Sequence, residues 1–207
     1  MYRVILASGS PRRKELLAQI GIEFEVLTSD VEEHSKFTAP AELVKDLASQ
    51  KAEAVCEKYR DYFNKVTERE GKKKTDDVVI IGADTIVAMG EQILGKPKDE
   101  QDAYSMLSEL QGNRHQVYTG VCLLLIKKDG TQKKLSFAEM TQVSICPMSA
   151  EEIRCYISSG DPMDKAGSYG IQGRFARHIE GIEGDYYNVV GLPVCRLYQE
   201  LKQILPV

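Results

Sequence analysis

Three things are missing from this sequence, and each absence removes a class of function. No apolar run approaches the ~18 residues that a membrane-spanning helix needs, and no secretory signal opens the chain. A soluble, cytoplasmic protein with no membrane partner is therefore the expectation. The five cysteines, Cys56, Cys122, Cys146, Cys155 and Cys195, are odd in number and contain no Cys-x-x-Cys pair, which argues against a zinc site and a disulfide framework. Excess positive charge is absent as well: 27 Lys and Arg against 31 Asp and Glu leave a net charge of −4. Nonspecific nucleic-acid binding is disfavoured, and any basic cluster must serve a local purpose. What is present is enough apolar content, 43% of 207 residues, to bury a core as one domain over 1–207, with room for two lobes.

The basic cluster lies at the start. Val4 to Ala7 are apolar without alternation, as in a strand covered on both faces. Ser8-Gly9-Ser10 then makes a tight turn, Ser10 is placed as a helix N-cap and Pro11 as the first helical residue. Such a turn presents backbone N–H groups and the positive end of a helix dipole, a ready anion site. Arg12, Arg13 and Lys14 crowd its first turn, where helix electrostatics favour acids, so a bound anion is the simplest compensation. Ser8 and Arg13 are read as phosphate contacts on that ground.

Two further positions break an apolar pattern. The helix opening at Pro40 carries Leu43, Val44, Leu47, Ala48, Ala54 and Val55 on one arc, and Lys51 falls near its middle. It must snorkel, pair or bind a ligand. Lys58 shares the arc near its end, where snorkelling is easy. Val78 to Met89 reads as a buried strand of twelve residues with Asp84 at its centre. An isolated carboxylate there either takes up a proton or has a cationic partner, and Asp84 is the best single catalytic candidate in the chain. Glu33 lies in a charged loop after a strand over Glu23 to Leu27. From Tyr59 to Asp77 the chain is polar, a frayed helix end and exposed loop.

Gly90 to Pro97 nearly spells a phosphate loop, but Pro97 stands where a hydroxyl is required, which excludes a Walker cradle and leaves Lys96 as an isolated cation for phosphate. Asp99 caps a helix with Ala103, Met106, Leu107 and Leu110 on one face. Strands over His115 to Lys127 and Gln132 to Cys146 meet at Asp129-Gly130, a hairpin signal, and Ser149-Ala-Glu-Glu152 is a capping box. Asp164 to Gly173 holds three glycines and Gln172, whose amide suits the edge of a nucleobase. It lacks the spacing of a dinucleotide fingerprint. Arg174 to Ile182 reads as a strand and Pro193 opens a C-terminal helix. Cations at 12, 13, 51 and 96 with acids at 33 and 84 fit a magnesium-bound polyphosphate, since magnesium takes one or two carboxylates plus phosphate oxygens.

These segments resemble the Maf family of nucleoside triphosphate pyrophosphatases. The resemblance runs through Ser8-Gly-Ser-Pro-Arg-Arg13, Glu32-Glu33, Lys51-Ala52, Gly82-Ala-Asp-Thr85, Gly95-Lys-Pro97, Thr119-Gly120, Asp164-Lys-Ala-Gly167, Gly170-Ile-Gln-Gly173 and Val190-Gly-Leu-Pro193. The stretch between Lys51 and Asp84 departs from it in being longer and more charged. The resemblance implies an α/β fold of inosine triphosphatase type, a mixed central β-sheet flanked by helices, two-lobed with an active cleft between the lobes. It also implies a homodimer, a divalent metal (Mg2+ or Mn2+) held by Glu33 and Asp84, and hydrolysis of nucleoside triphosphates to monophosphate and pyrophosphate, a house-cleaning role in the nucleotide pool. It assigns proton acceptance to Asp84 and base choice to Arg12, Thr85 and Gln172, in the combination of the subgroup acting on dTTP, UTP and some modified pyrimidine nucleotides. Rival readings are a phosphomonoesterase or nuclease using the same metal and cations, and a non-catalytic nucleotide-binding regulator of cell division or septation.

Overall fold

The computed structural model describes residues 2–29, 31–70 and 77–205, with the backbone alone over 61–70. The charged stretch from Lys72 to Asp76 lies outside the described residues. Among the described residues seven strands form one mixed sheet, β1 (Tyr2–Leu6), β2 (Glu25–Val26), β3 (Asp77–Met89), β4 (Gln92–Leu94), β5 (Arg114–Ile126), β6 (Gln132–Ile145) and β7 (Ile179–Glu183). Their order is β2-β1-β3-β5-β6-β7, with β4 paired to β3. β1 runs parallel to β2 and to β3, whereas β3–β4 and β6–β7 are antiparallel. Among the described residues six α-helices accompany the sheet: α1 (Pro11–Gln19), α2 (Pro40–Glu70), α3 (Glu100–Leu110), α4 (Ala150–Ile157), α5 (Tyr186–Val190) and α6 (Val194–Ile204). The α/β class and the mixed sheet are as expected. Among the described residues no helix is long and apolar enough to cross a membrane.

The chain divides into two compact units, each with its own core. The first comprises 1–84, 120–138 and 194–207, the second 85–119 and 139–193. In the first, Ile5, Val78, Ile80, Cys122, Leu124 and Ile126 of the sheet, with Ala7 just after β1, pack with Ala48, Ala52, Val55 and Tyr59 of α2. The apolar arc of α2 is thus real, though Leu43, Leu47 and Ala54 lie half-buried at its flanks. In the second unit Leu107, Leu110, Ile153, Tyr156, Tyr169 and Phe175 pack with Val117, Val143 and Ile145.

The local signals explain most boundaries. Asp99 caps α3 by accepting from the Asp102 N–H, and Ser149 and Glu152 form the full capping box of α4. Gly130 turns the β5–β6 hairpin at φ +91°. Two expectations are corrected. α2 does not fray at Tyr59 but continues to Glu70; residues 60–70 contain no Gly or Pro to stop it. The strand expected over Arg174 to Ile182 begins only at Ile179, and Gly173–His178 is a 3-10 helix. Phe175 and His178, three apart, are both buried, and a three-residue turn places them on one side. Phe175 stacks among Tyr156, Tyr169 and His178 at centroid distances of 4.8, 4.9 and 5.4 Å.

Candidate active site

The first unit brings the charged candidates together. The turn after β1 is tied by Ser8, whose Oγ accepts from the Ser10 N–H at 3.3 Å and from Arg13 Nη1 at 3.1 Å. Ser10 does hold the N-cap position of α1, but its side chain makes no capping bond; Ser8 does the local work instead. Burial pulls the Arg13 pKa below its usual value, with Arg12 acting in the same direction and Asp84 and Glu33 opposing. A guanidinium starts so high that it stays charged.

Lys51 is the centre of this set. Its Nζ lies 2.5 Å from Asp84 Oδ1 and 3.2 Å from Glu33 Oε2. Of the two outcomes open to a carboxylate inside an apolar strand, Asp84 takes the cationic partner. The three side chains are 21%, 16% and 32% exposed for Lys51, Asp84 and Glu33, so the cluster is shielded yet reachable. Lys58, by contrast, snorkels to the Thr28 carbonyl at 2.9 Å.

Glycine makes this meeting sterically feasible. A Cβ on Gly82 would stand 2.2 Å from the Ala48 carbonyl oxygen and 3.1 Å from the Ala52 methyl, and one on Gly120 would stand 2.1 Å from the Val44 carbonyl oxygen. Helix α2 therefore rests directly on the backbones of β3 and β5. Lys51 precedes Ala52 and Asp84 follows Gly82 by two residues, so the close approach delivers the ammonium to the carboxylate.

The second unit holds the neutral candidates. Thr85 Oγ1 is 2.9 Å from Thr119 Oγ1, and Thr119 donates to the Asn188 carbonyl at 3.0 Å. Asn188 Nδ2 donates to the Val117 carbonyl and to Thr141 Oγ1, both at 3.0 Å. Gln172 is exposed and precedes the 3-10 helix without capping it. Lys96 is exposed just after β4. Its turn is joined to the glycine-rich loop by a bond from the Gly167 N–H to the Gly95 carbonyl at 3.0 Å. That loop is pinned by Lys165, whose Nζ donates to Asp161 Oδ1 at 3.1 Å and to Asp164 Oδ1 at 2.6 Å, and by Tyr156, whose hydroxyl donates to Asp161 Oδ2 at 2.6 Å. Gly167 sits at φ +65°, and a Cβ there would stand 2.8 Å from Val87.

Ser8, Arg12, Arg13, Glu33, Lys51 and Asp84 thus belong to one unit, and Thr85, Lys96 and Gln172 to the other. Sequence reasoning missed Thr119 as a partner of Thr85, and Asn188 as the partner of Thr119. The only signal available for Thr119 was its place in the resemblance, and Asn188 carried none.

Residues 3–204 match the family model described as Maf-like protein. A dTTP/UTP pyrophosphatase of Agathobacter rectalis is 56% identical over 205 residues, covering 99% of this chain and 98% of its own length. Another, of Lachnoclostridium phytofermentans, is 46% identical over 203 residues, covering 98% and 95%. Among solved structures, the Staphylococcus aureus Ham1 protein covers 86% of this chain and 79% of its own at a TM-score of 0.40 and 16% identity, a likeness too slight to build on.

Proposed function

Since the chain belongs to the Maf-like family, we propose that it hydrolyses dTTP and UTP, splitting the anhydride between the α- and β-phosphates to give the monophosphate and pyrophosphate. The whole chain is read as one catalytic domain, working in the cytoplasm as a homodimer and removing unwanted pyrimidine triphosphates. The observation that carries the reading is the Lys51 ammonium held between Asp84 and Glu33, beside an arginine fixed on the turn serine. The printed function of the curated relatives, at 46% to 56% identity and near-complete coverage, supports the substrates.

Each charged residue has a task in this reading. Ser8, Arg13 and Lys51 take the phosphate oxygens, with Lys96 as a further cation. Lys51 leaves its carboxylates for phosphate when substrate enters, and Asp84 then accepts the proton of the attacking water on a carboxylate oxygen. Arg12, Thr85 and Gln172 select the base.

A divalent cation fits Glu33 and Asp84. Both are hard oxygen donors, and in the structure both already converge on one positive group, Lys51 Nζ. Among the described residues no three His, Cys, Asp or Glu side chains gather into a complete cage, which suits an ion that keeps water and takes substrate phosphate. When bound, Mg2+ or Mn2+ supplies charge neutralisation and polarisation of the phosphate oxygens.

The test is a screen of nucleoside triphosphates with and without divalent cation, with pyrophosphate, orthophosphate and nucleic-acid cleavage measured separately. Pyrophosphate from dTTP and UTP, lost on chelation, is the expected result. Orthophosphate alone, cut nucleic acid, or binding without turnover would each overturn it.

A further inference from the structure

Between β2 and α2 the chain has little of its own to hold it. From Val31 to Thr38 it forms no helix or strand, and among the described residues its backbone makes no hydrogen bond to other backbone. Two contacts are local to the loop: Ser35 Oγ accepts from the Phe37 N–H at 3.2 Å, and His34 Nε2 lies 3.5 Å from Glu32 Oε2. Glu33 is nevertheless delivered to the charged cluster, 3.2 Å from Lys51 Nζ. That ion pair cannot keep it there throughout the proposed reaction, because Lys51 is the residue that turns to phosphate.

The residue beside Lys51 supplies a second tether. Gln50 Nε2 donates to the His34 carbonyl at 2.7 Å, and Gln50 Oε1 accepts from the His34 N–H at 3.2 Å. The side-chain amide thus pairs with both polar groups of one backbone residue, as an antiparallel strand would. Its orientation is fixed by a third bond, from Nε2 to Asp46 Oδ2 at 2.9 Å, four residues back on α2. A carboxylate and a carbonyl only accept, so a reversed amide would set its oxygen against both and its own hydrogens against the His34 N–H. Gln50 and Asp46 are half-buried, and the helix that carries them is seated on β3 at Gly82.

We infer that Gln50, its amide oriented by Asp46, is the positioning residue that holds Glu33 at the cation site by clamping the His34 backbone. The inference rests on the reading of Glu33 as a metal ligand. Neighbouring residues of α2 hold neighbouring residues of the loop in two different ways. The Lys51–Glu33 pair is ionic and is exchanged when phosphate and a divalent cation arrive. The Gln50–His34 pair is neutral and directed at backbone, so it survives the exchange and Glu33 stays in place when Lys51 departs. Without the clamp the loop would have to be ordered at the moment the ion binds, and the lost entropy would fall on cation affinity.

The experiment measures the Kd of Mn2+ by electron paramagnetic resonance in protein holding a dUTP analogue whose imido bridge between the α- and β-phosphates cannot be split. It compares the native chain, Gln50→Met, Glu33→Ala and the double variant, with Tm for each. Methionine keeps the length and helix propensity of glutamine and removes the three hydrogen bonds. Gln50→Met should weaken Mn2+ by about tenfold, the scale of one or two hydrogen bonds, with Tm unchanged. Its turnover of dTTP should fall at limiting Mn2+ and return to the native kcat at saturating Mn2+, which general damage to the site would not allow. In the double variant methionine should add nothing to Glu33→Ala, because Gln50 acts only through Glu33. Native Mn2+ affinity in Gln50→Met beside a weakened Glu33→Ala would overturn the inference and leave Glu33 as a ligand. So would a further loss in the double variant, or a kcat that saturating Mn2+ does not restore. Native affinity in Glu33→Ala would instead remove the reading beneath it. Should methionine disturb the fold, Gln50→Ala, equally unable to pair and the best helix former, gives the same comparison.

Discussion

The two units of the chain meet polar burial in opposite ways. In the first, charge is balanced against charge: Lys51 between Asp84 and Glu33, Arg13 on Ser8. In the second, Thr85, Thr119, Asn188 and Thr141 form a neutral chain in which each hydrogen has one destination. The contrast matches two different recognition problems. A polyphosphate is recognised by compensating cations, which are indifferent to the base attached to it. A base is recognised by the direction of its donors and acceptors, which charge alone cannot read. Substitutions at Arg13, Lys51 and Asp84 of the first unit should therefore change turnover on every nucleotide alike, and those at Thr85 and Gln172 of the second should change the ranking of nucleotides.

The largest effect tests the first half of that contrast. Asp84→Asn keeps the volume of the side chain and a partner for Lys51 while removing the proton acceptor. It should lower kcat by about 10²–10⁴-fold for dTTP, UTP and CTP together, with little change in Tm. Loss on one nucleotide only, or near-native turnover, would break both the assignment and the contrast.

Acid stability separates the units next. Burial pulls the His115 pKa from 6.5 to about 4, and His178 is lowered for the same reason, reinforced by Arg177. Both lie in the second unit. Below pH 6.5 the unfolded chain binds a proton that folded His115 refuses until about pH 4, so the unfolded state gains as pH falls. Stability should be complete above pH 6.5 and decline toward pH 4, by about 3 kcal/mol for His115 alone. Tm measured across that window should fall in the native protein and fall less in His115→Gln, which takes no proton there. Parallel curves would remove His115 as the cause.

Gly82→Ala is the corresponding steric test of the first unit. The added methyl meets the Ala48 carbonyl at 2.2 Å, so α2 must shift off β3. A destabilisation of about 1–3 kcal/mol is expected, together with reduced turnover on all nucleotides, because Lys51 and Asp84 lose their register. Unchanged Tm would show that the helix yields freely.

The parts of this arrangement that local chemistry controls were readable in advance. Ser-Gly-Ser-Pro before α1, Asp129-Gly130 between β5 and β6, and the box at Ser149 each act within a few residues, and each boundary stands where they place it. Lys51 and Asp84 were found separately, each as an interruption of an apolar pattern. That they are one ion pair depends on α2 lying against Gly82, a contact thirty residues apart that no periodicity encodes. The 3-10 helix at Gly173–His178 was misread because Arg174 to Ile182 alternates well enough for a strand, and only the aromatic cluster around Phe175 decides otherwise. Thr119 and Asn188 interrupt nothing, since neutral polar residues are tolerated in strands and short helices. Their place in that chain of hydrogen bonds appears only once β5 and α5 are brought together.

The smallest effect expected is also the most selective. Gln172 is exposed and its side chain does not cap the 3-10 helix that follows, so replacing it should leave Tm unchanged. Its amide offers both a donor and an acceptor, which can match the alternating O4, N3–H and O2 edge of uracil or thymine. In Gln172→Glu the donor is lost and only acceptors remain, which suits a base rich in donors. An unmatched polar group at the base costs about 1–3 kcal/mol, so the preference for dTTP and UTP over GTP and 7-methyl-GTP should fall by roughly tenfold while hydrolysis persists. Measuring kcat/KM for the four nucleotides in both proteins decides it. A uniform loss across all four would place Gln172 with the phosphate-binding group, and an identical ranking would show that the base is read by Thr85 and Arg12 without it.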